Sequence, residues 1–163
     1  SCCYNLTTLS IEAPKLIHLS LINCRNLTIL SIESNNLTAL NLDICLYKKL
    51  TTLLLQTPNL THLNLSECTQ LSTLSIQAPK LKHLNLAYCK KLTAEDIQAI
   101  ISKPPNLTHL NLSFCEQPTA EDIQTIINQA SNLKHLNLSY CEQLTQAFVV
   151  GLREQYPGVK IVR

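Results

Sequence analysis

Histidine and cysteine carry most of the reactive chemistry open to this chain, with five and eight residues respectively. Imidazoles titrate near neutral pH, ligate metals and serve as general bases; thiolates ligate or attack. Both residue types fall in register. Cys3, Cys24, Cys45, Cys68, Cys89, Cys115 and Cys141 recur at intervals of 21, 21, 23, 21, 26 and 26. His18, His62, His83, His109 and His135 each stand six residues ahead of one of these cysteines. Such recurrence marks an internal repeat rather than a single reactive centre.

The repeated unit reads L-x-x-L-x-L-x-x-C, from Leu16 to Cys24, Leu37 to Cys45, Leu60 to Cys68, Leu81 to Cys89, Leu107 to Cys115 and Leu133 to Cys141. Apolar residues at positions 1, 4 and 6 describe a short strand that buries one side. Positions 3 and 5 then face solvent, and position 9 turns into the core beyond the strand. His at position 3 and Cys at position 9 cannot meet on one tetrahedral ion without unfolding a turn. Neither a metal site nor a cofactor is expected, although a surface histidine pair can hold adventitious zinc or nickel. A buried cysteine column behaves as small hydrophobes, and its uniform spacing offers no unique disulfide partners. Catalysis finds no support either. Two glycines leave no phosphate-cradling loop, no H-E-x-x-H occurs, and no Ser or Cys has an identifiable His and orienting acid. The chain reads as a non-enzyme.

A second series alternates with the first: Leu6 to Ile11, Leu27 to Ile32, Leu50 to Leu55 and Leu71 to Ile76, ending in Pro14, Asn35, Pro58 and Pro79. Up to about residue 90 the unit is therefore about 21 residues with two short strands, Pro or Asn setting the bends. After Cys89 the second series becomes helical. Thr93-Ala94-Glu95-Asp96 has an N-cap pattern with acidic first-turn residues, followed by Ile97, Ile100 and Ile101 on one face, and Pro104 and Pro105 as a stop. Thr119 to Asp122 with Ile123, Ile126 and Ile127 repeats the design, and a third copy runs from Thr145 with Phe148, Val149 and Leu152 inward. Val159 and Ile161 are expected where Leu136 and Leu138 sit, as a last front strand. Helices need about 8–10 Å between axes against roughly 4.8 Å for strands, so the front sheet is expected to be concave from about residue 90.

Length and a hydrophobic content of 45% fit one folded domain, residues 1–163. It divides into 1–90 of 21-residue two-strand units and 91–163 of 26-residue strand–helix units with a terminal cap. Cys3 already lies in register, so the chain opens at the tail of an earlier unit and reads as a fragment of a longer protein, with an uncapped N-terminal end that can self-associate. A net charge of +2 gives no reason to expect nucleic acid or an anionic membrane, and no apolar run is long enough to span a bilayer. The motif N-x-S/T occurs at Asn5, Asn26, Asn36, Asn59, Asn64, Asn106, Asn111 and Asn137. Glycans there would burden packed or binding surfaces. With the cysteine column, this points to a reducing cytosol.

The unit L-x-x-L-x-L-x-x-C resembles leucine-rich repeat proteins over essentially the whole chain. The last third, with units such as NLTHLNLSFC plus a helix, is similar to the cysteine-containing repeats of F-box ubiquitin-ligase receptors. The first half is similar to the short 21-residue, two-strand bacterial type, and the mixture resembles effectors that intracellular bacterial pathogens deliver into host cells. The resemblance implies an α/β solenoid: a parallel front β-sheet, with short strands on the back in the N-terminal half and helices on the back in the C-terminal half. It also implies a protein partner bound through the front sheet, and no small-molecule substrate. An effector would work in the host cytosol; the alternative is the substrate-receptor portion of an F-box adaptor, with no F-box among these residues.

Candidate contact residues lie on that front face. Position 3 supplies His62, His83, His109 and His135, and position 5 supplies Asn64, Asn85, Asn111 and Asn137. Position 8 holds Tyr88, Phe114 and Tyr140 after Asn23, Ile44 and Glu67, and aromatic residues are enriched in binding hot spots. Lys82 and Lys134 flank the same patch. Two readings stay open: the polar ladder meets a partner or is duplicated consensus, and the rings either bind or pack over the cysteine column. Glu95/Asp96 and Glu121/Asp122 are explained by helix N-termini.

Overall fold

The computed structural model describes residues 5–19, 21, 24–42, 49–101 and 106–163. Two parallel sheets face each other across one core. The back sheet stacks β1 (Thr8–Glu12), β2 (Ile29–Glu33), β4 (Thr52–Gln56) and β6 (Thr73–Gln77) in that order. The front sheet stacks β3 (Ala39–Asn41), β5 (His62–Asn64), β7 (His83–Asn85), β8 (His109–Asn111), β9 (His135–Asn137) and β10 (Lys160–Val162). Successive strands of one sheet come from successive coils, so the topology is a solenoid with a parallel front sheet.

Alternation within each strand explains both sheets. In β2, Leu30 and Ile32 are buried while Ile29 and Glu33 are exposed; in the three-residue front strands the middle leucine alone is buried. Burying each such side chain contributes about 1.5–3 kcal/mol. Threonines extend the ladders beyond the strands. The Thr28 hydroxyl donates to the Thr7 carbonyl at 2.9 Å, and the Thr61 hydroxyl to the Thr38 carbonyl at 2.9 Å.

Where the back sheet ends, helices replace it: α1 (Ala94–Ile101), α2 (Ala120–Gln129) and α3 (Gln146–Gln155). α1 and α2 open with reciprocal caps. The Thr119 hydroxyl accepts the Asp122 N–H at 3.3 Å while the Asp122 carboxylate accepts the Thr119 N–H at 2.9 Å, and Thr93 and Asp96 repeat the arrangement. Ile97, Ile100 and Ile101, then Ile123, Ile126 and Ile127, then Val149 and Leu152 are buried as their spacing predicts. Pro104 and Pro105 lie outside the described residues.

Two expectations change. Ile161, not Val159, pairs with Leu136, so the last strand sits two residues later than the alternation suggested; the Lys160 N–H donates to the Lys134 carbonyl at 2.7 Å and fixes that register. The unit around His18 forms no strand at residues 16–19, and Ser20 lies outside the described residues, as do Asn23 and Ile44. Among the described residues the front sheet begins at β3.

Candidate interaction face

The triplet His-Leu-Asn forms four front strands in succession, and its parallel register lines like residues into columns. His62, His83, His109, His135 and Lys160 pair in one row, with Ala39 ahead of them. The imidazole rings stack at centroid distances of 4.3, 4.2 and 4.3 Å. Thr61 and Thr108 settle the tautomer at two of them. Each hydroxyl donates its single proton to a backbone carbonyl, Thr38 at 2.9 Å and Lys82 at 3.1 Å. Each also lies 2.8 Å from the Nδ1 of its neighbouring histidine. Nδ1 therefore donates in His62 and His109, which leaves Nε2, the ring nitrogen farther from the backbone, as an acceptor when neutral. His83 and His109 are held below the ordinary imidazole value, first by desolvation and then by neighbouring imidazoles and by Lys82 and Lys134 respectively.

Beside this row, Asn64, Asn85, Asn111 and Asn137 have an internal task. Each side-chain oxygen accepts the backbone N–H two residues on, from Ser66, Ala87, Ser113 and Ser139, at 3.0–3.1 Å. These are Asx turns that bend the chain out of the strand. The sequence signal was present in Asn placed two residues before the bend, but it pointed equally to contact.

Next come Glu67, Tyr88, Phe114 and Tyr140, all in the left-handed backbone region with φ of 63°, 61°, 59° and 58°. Three of their N–H groups continue the ladder, as Glu67 donates to Ala87, Tyr88 to Ser113 and Phe114 to Ser139 carbonyls. Tyr88 stacks on Phe114 at 4.0 Å, and Phe114 on Tyr140 at 4.3 Å. The rings do pack turn on turn, yet Tyr140 remains 69% exposed.

Beneath them runs the cysteine column. Cys89, Cys115 and Cys141 each donate the thiol proton to the Leu65, Leu86 or Leu112 carbonyl of the preceding coil at 3.2 Å. Burial pushes the Cys68 and Cys115 thiols up to about 12 and raises Cys89 and Cys141 as well. Cys24, Cys68, Cys89, Cys115 and Cys141 are free and buried; Cys3 and Cys45 lie outside the described residues. Among the described residues no group of three or more His, Cys, Asp or Glu converges on a possible metal position.

Repeat period, front-strand triplets and the inward cysteine together define the unit. A family model described as Leucine Rich repeat matches residues 77–100, 103–116 and 129–145. These coils are leucine-rich repeats. No curated protein matches the sequence. Among solved structures, the functional domain of InlJ from Listeria monocytogenes, which includes a cysteine ladder, is similar over 88% of this chain at 17% identity and a TM-score of 0.29. The match spans 50% of that protein's chain. The leucine-rich repeat architecture is in general that of a protein-interaction module, and no enzyme family is indicated. Among the described residues no helix is long and apolar enough to cross a membrane.

A groove of about 520 Å³ runs along the front sheet, from Ala39 and Asn41 across the histidine row to Lys160 and Val162. Of the candidate contacts, the histidines and asparagines line it. Lys82 and Lys134 precede two of its strands, and the aromatic stack lies at the bend just beyond.

Proposed function

We propose that this chain is a non-enzymatic module that binds a protein partner through its front sheet. Contacts come from His62, Asn64, Lys82, His83, Asn85, His109, Asn111, Lys134, His135 and Asn137, and from Tyr88, Phe114 and Tyr140 at the rim. The observation that carries the reading is the unbroken outward row of four stacked imidazoles over a groove. Solenoids use such repeated faces because each coil adds one more contact row. The sequence mixture of short two-strand and cysteine-type units favours a bacterial effector in a host cytosol; an F-box upstream in the full-length gene would favour the ubiquitin-ligase alternative instead.

Affinity capture from cytosolic lysate tests the face. The baits are the wild-type chain, a Tyr88→Ala/Phe114→Ala/Tyr140→Ala variant checked for folding, and a back-sheet Ser10→Ala/Thr73→Ala control. A protein kept by wild type and control but lost by the front variant supports the reading. Equal retention by all three moves the site elsewhere.

A second reading, self-association at the N-terminal end, draws on β1. Leu9 and Ile11 are half-buried where their β2 counterparts Leu30 and Ile32 are buried. Sedimentation as a monomer at every concentration would rule it out.

A further inference from the structure

We propose that the front groove receives an extended, acidic segment of a partner protein, laid along the row His62, His83, His109, His135 and Lys160. This rests on the reading of the front sheet as the interaction face and adds the chemistry of its occupant.

Carboxylates are set apart from the groove itself, the nearest along the front bend being Glu67 in the column of Tyr88, Phe114 and Tyr140. Among the described residues no carboxylate lines the groove. In the C-terminal half, Glu95, Asp96, Glu121 and Asp122 sit at helix N-termini on the back, and Glu116 is paired with Lys90. Among the described residues, the groups that face the imidazoles are other imidazoles and ammonium groups: His62 on β5, His83 on β7 with Lys82 just before it, His109 on β8, His135 on β9 with Lys134 just before it, and Lys160 on β10. A neutral or basic occupant would leave this positive field unanswered, whereas carboxylates complement it.

Spacing fits an extended chain. Five row members at roughly 4.8 Å per strand span about 19 Å, the length of about six extended residues at roughly 3.3 Å each. Alternate side chains of such a segment face the same way, so three carboxylates fall over the row. Stacked rings at 4.2–4.3 Å resist protonation together. The negative charge of an anionic occupant offsets that penalty, so that Nε2 of His109 takes up a proton and donates to carboxylate oxygen. Binding therefore takes up protons and tightens as pH falls toward 6.

The test uses fluorescence anisotropy on the full chain with labelled dodecapeptides of alternating Glu and Thr or alternating Lys and Thr, and a labelled oligothymidylate. Wild type is compared with His83→Gln/His109→Gln and, because lysines on the surface leave folding intact, with Lys82→Ala/Lys134→Ala. The expected result is binding of the Glu peptide alone, about tenfold tighter near pH 6 than near pH 8, and weakened in both variants. Equal binding of the Lys peptide, tighter binding of oligothymidylate, or indifference to pH or to both variants overturns the proposal. A displayed library of random dodecapeptides separates the two levels. Front-dependent but non-acidic winners defeat the acidic occupant and leave the interaction face standing; winners indifferent to front substitutions defeat both.

Discussion

The Cys115 thiol donates to the Leu86 carbonyl oxygen across 3.2 Å, and the same oxygen accepts the Cys89 backbone N–H at 3.1 Å. Each coil thus satisfies, with a side chain of the next, the carbonyl that the bend turns away from the strand ladder. Cysteine suits the position because the thiol is small, apolar enough for the core and still a weak donor. The same bond locks the proton on sulfur, so the column is a structural device rather than a reactive one.

Native Cys24, Cys68, Cys89, Cys115 and Cys141 are accordingly expected to resist alkylation. Peptide mapping after iodoacetamide at mild alkaline pH should label them only when denaturant is present; labelling of Cys68 or Cys115 in the native chain at the rate of a free thiol contradicts the buried column. Stability should also fall in alkali. With Cys68 and Cys115 raised from an ordinary 9.0 to about 12, the unfolded chain loses their protons first. Stability is complete below 9 and declines as pH rises from 9 toward 12.

The histidine row has the opposite dependence. His83 and His109 bind protons less readily folded than unfolded, so the unfolded state takes up more protons as pH falls below the ordinary 6.5. Their contribution is intact above that value and shrinks below it. The melting temperature should drop between about pH 7.5 and pH 5.5, and the drop should flatten in His83→Gln/His109→Gln. An identical slope in the variant shows that other groups govern it.

Much of this was legible in the residues. Apolar positions 1, 4 and 6 located the front strands because a three-residue strand has only one way to bury its leucine, and Thr93 and Thr119 announced their helices through caps. Val159 and Ile161 misled because a period of two leaves registers two residues apart equally apolar; only the Lys160 to Lys134 hydrogen bond chooses. Nothing in Glu, Tyr or Phe signals a positive φ, which Gly or Asn would have advertised. The threonine contacts that set the histidine tautomers join side chains whose roles emerge only from position.

Those left-handed residues give a test with two signs. Glu67 has φ 63° and no ring partner, so Glu67→Gly should relieve strain and raise stability by about 0.5–1 kcal/mol after the entropy glycine adds to the unfolded chain. Phe114→Gly gains the same relief but loses stacking on both Tyr88 and Tyr140, each worth about 0.5–1.5 kcal/mol, along with ring burial. It should be destabilising. Urea denaturation showing the same sign for both would mean that the stack contributes nothing.

Thr57 tests a smaller fault in the core. It is fully buried, and its hydroxyl has no partner among the described residues, while Ala13, Ala78 and Ala130 hold the equivalent corner. An unsatisfied buried hydroxyl costs about 1–3 kcal/mol, so Thr57→Val, which keeps the shape, should stabilise by roughly 1 kcal/mol. A loss of stability in denaturant titration would mean the hydroxyl does find a partner.

Asn111 separates folding from binding at one residue. Its side-chain oxygen holds the Ser113 N–H at 3.0 Å, and one such bond contributes about 0.5–1.5 kcal/mol. Asn111→Ala should lose that amount, whereas Asn111→Asp keeps an acceptor in place and should melt close to wild type. The aspartate nevertheless puts a negative charge in the groove beside His109. If an acidic segment lies there, Asn111→Asp should weaken Glu-peptide binding severalfold while Asn111→Ala, once corrected for its unfolded fraction, weakens it less. The reverse order would mean that the Asn111 amide itself, rather than the charge of the surrounding face, is what the partner reads.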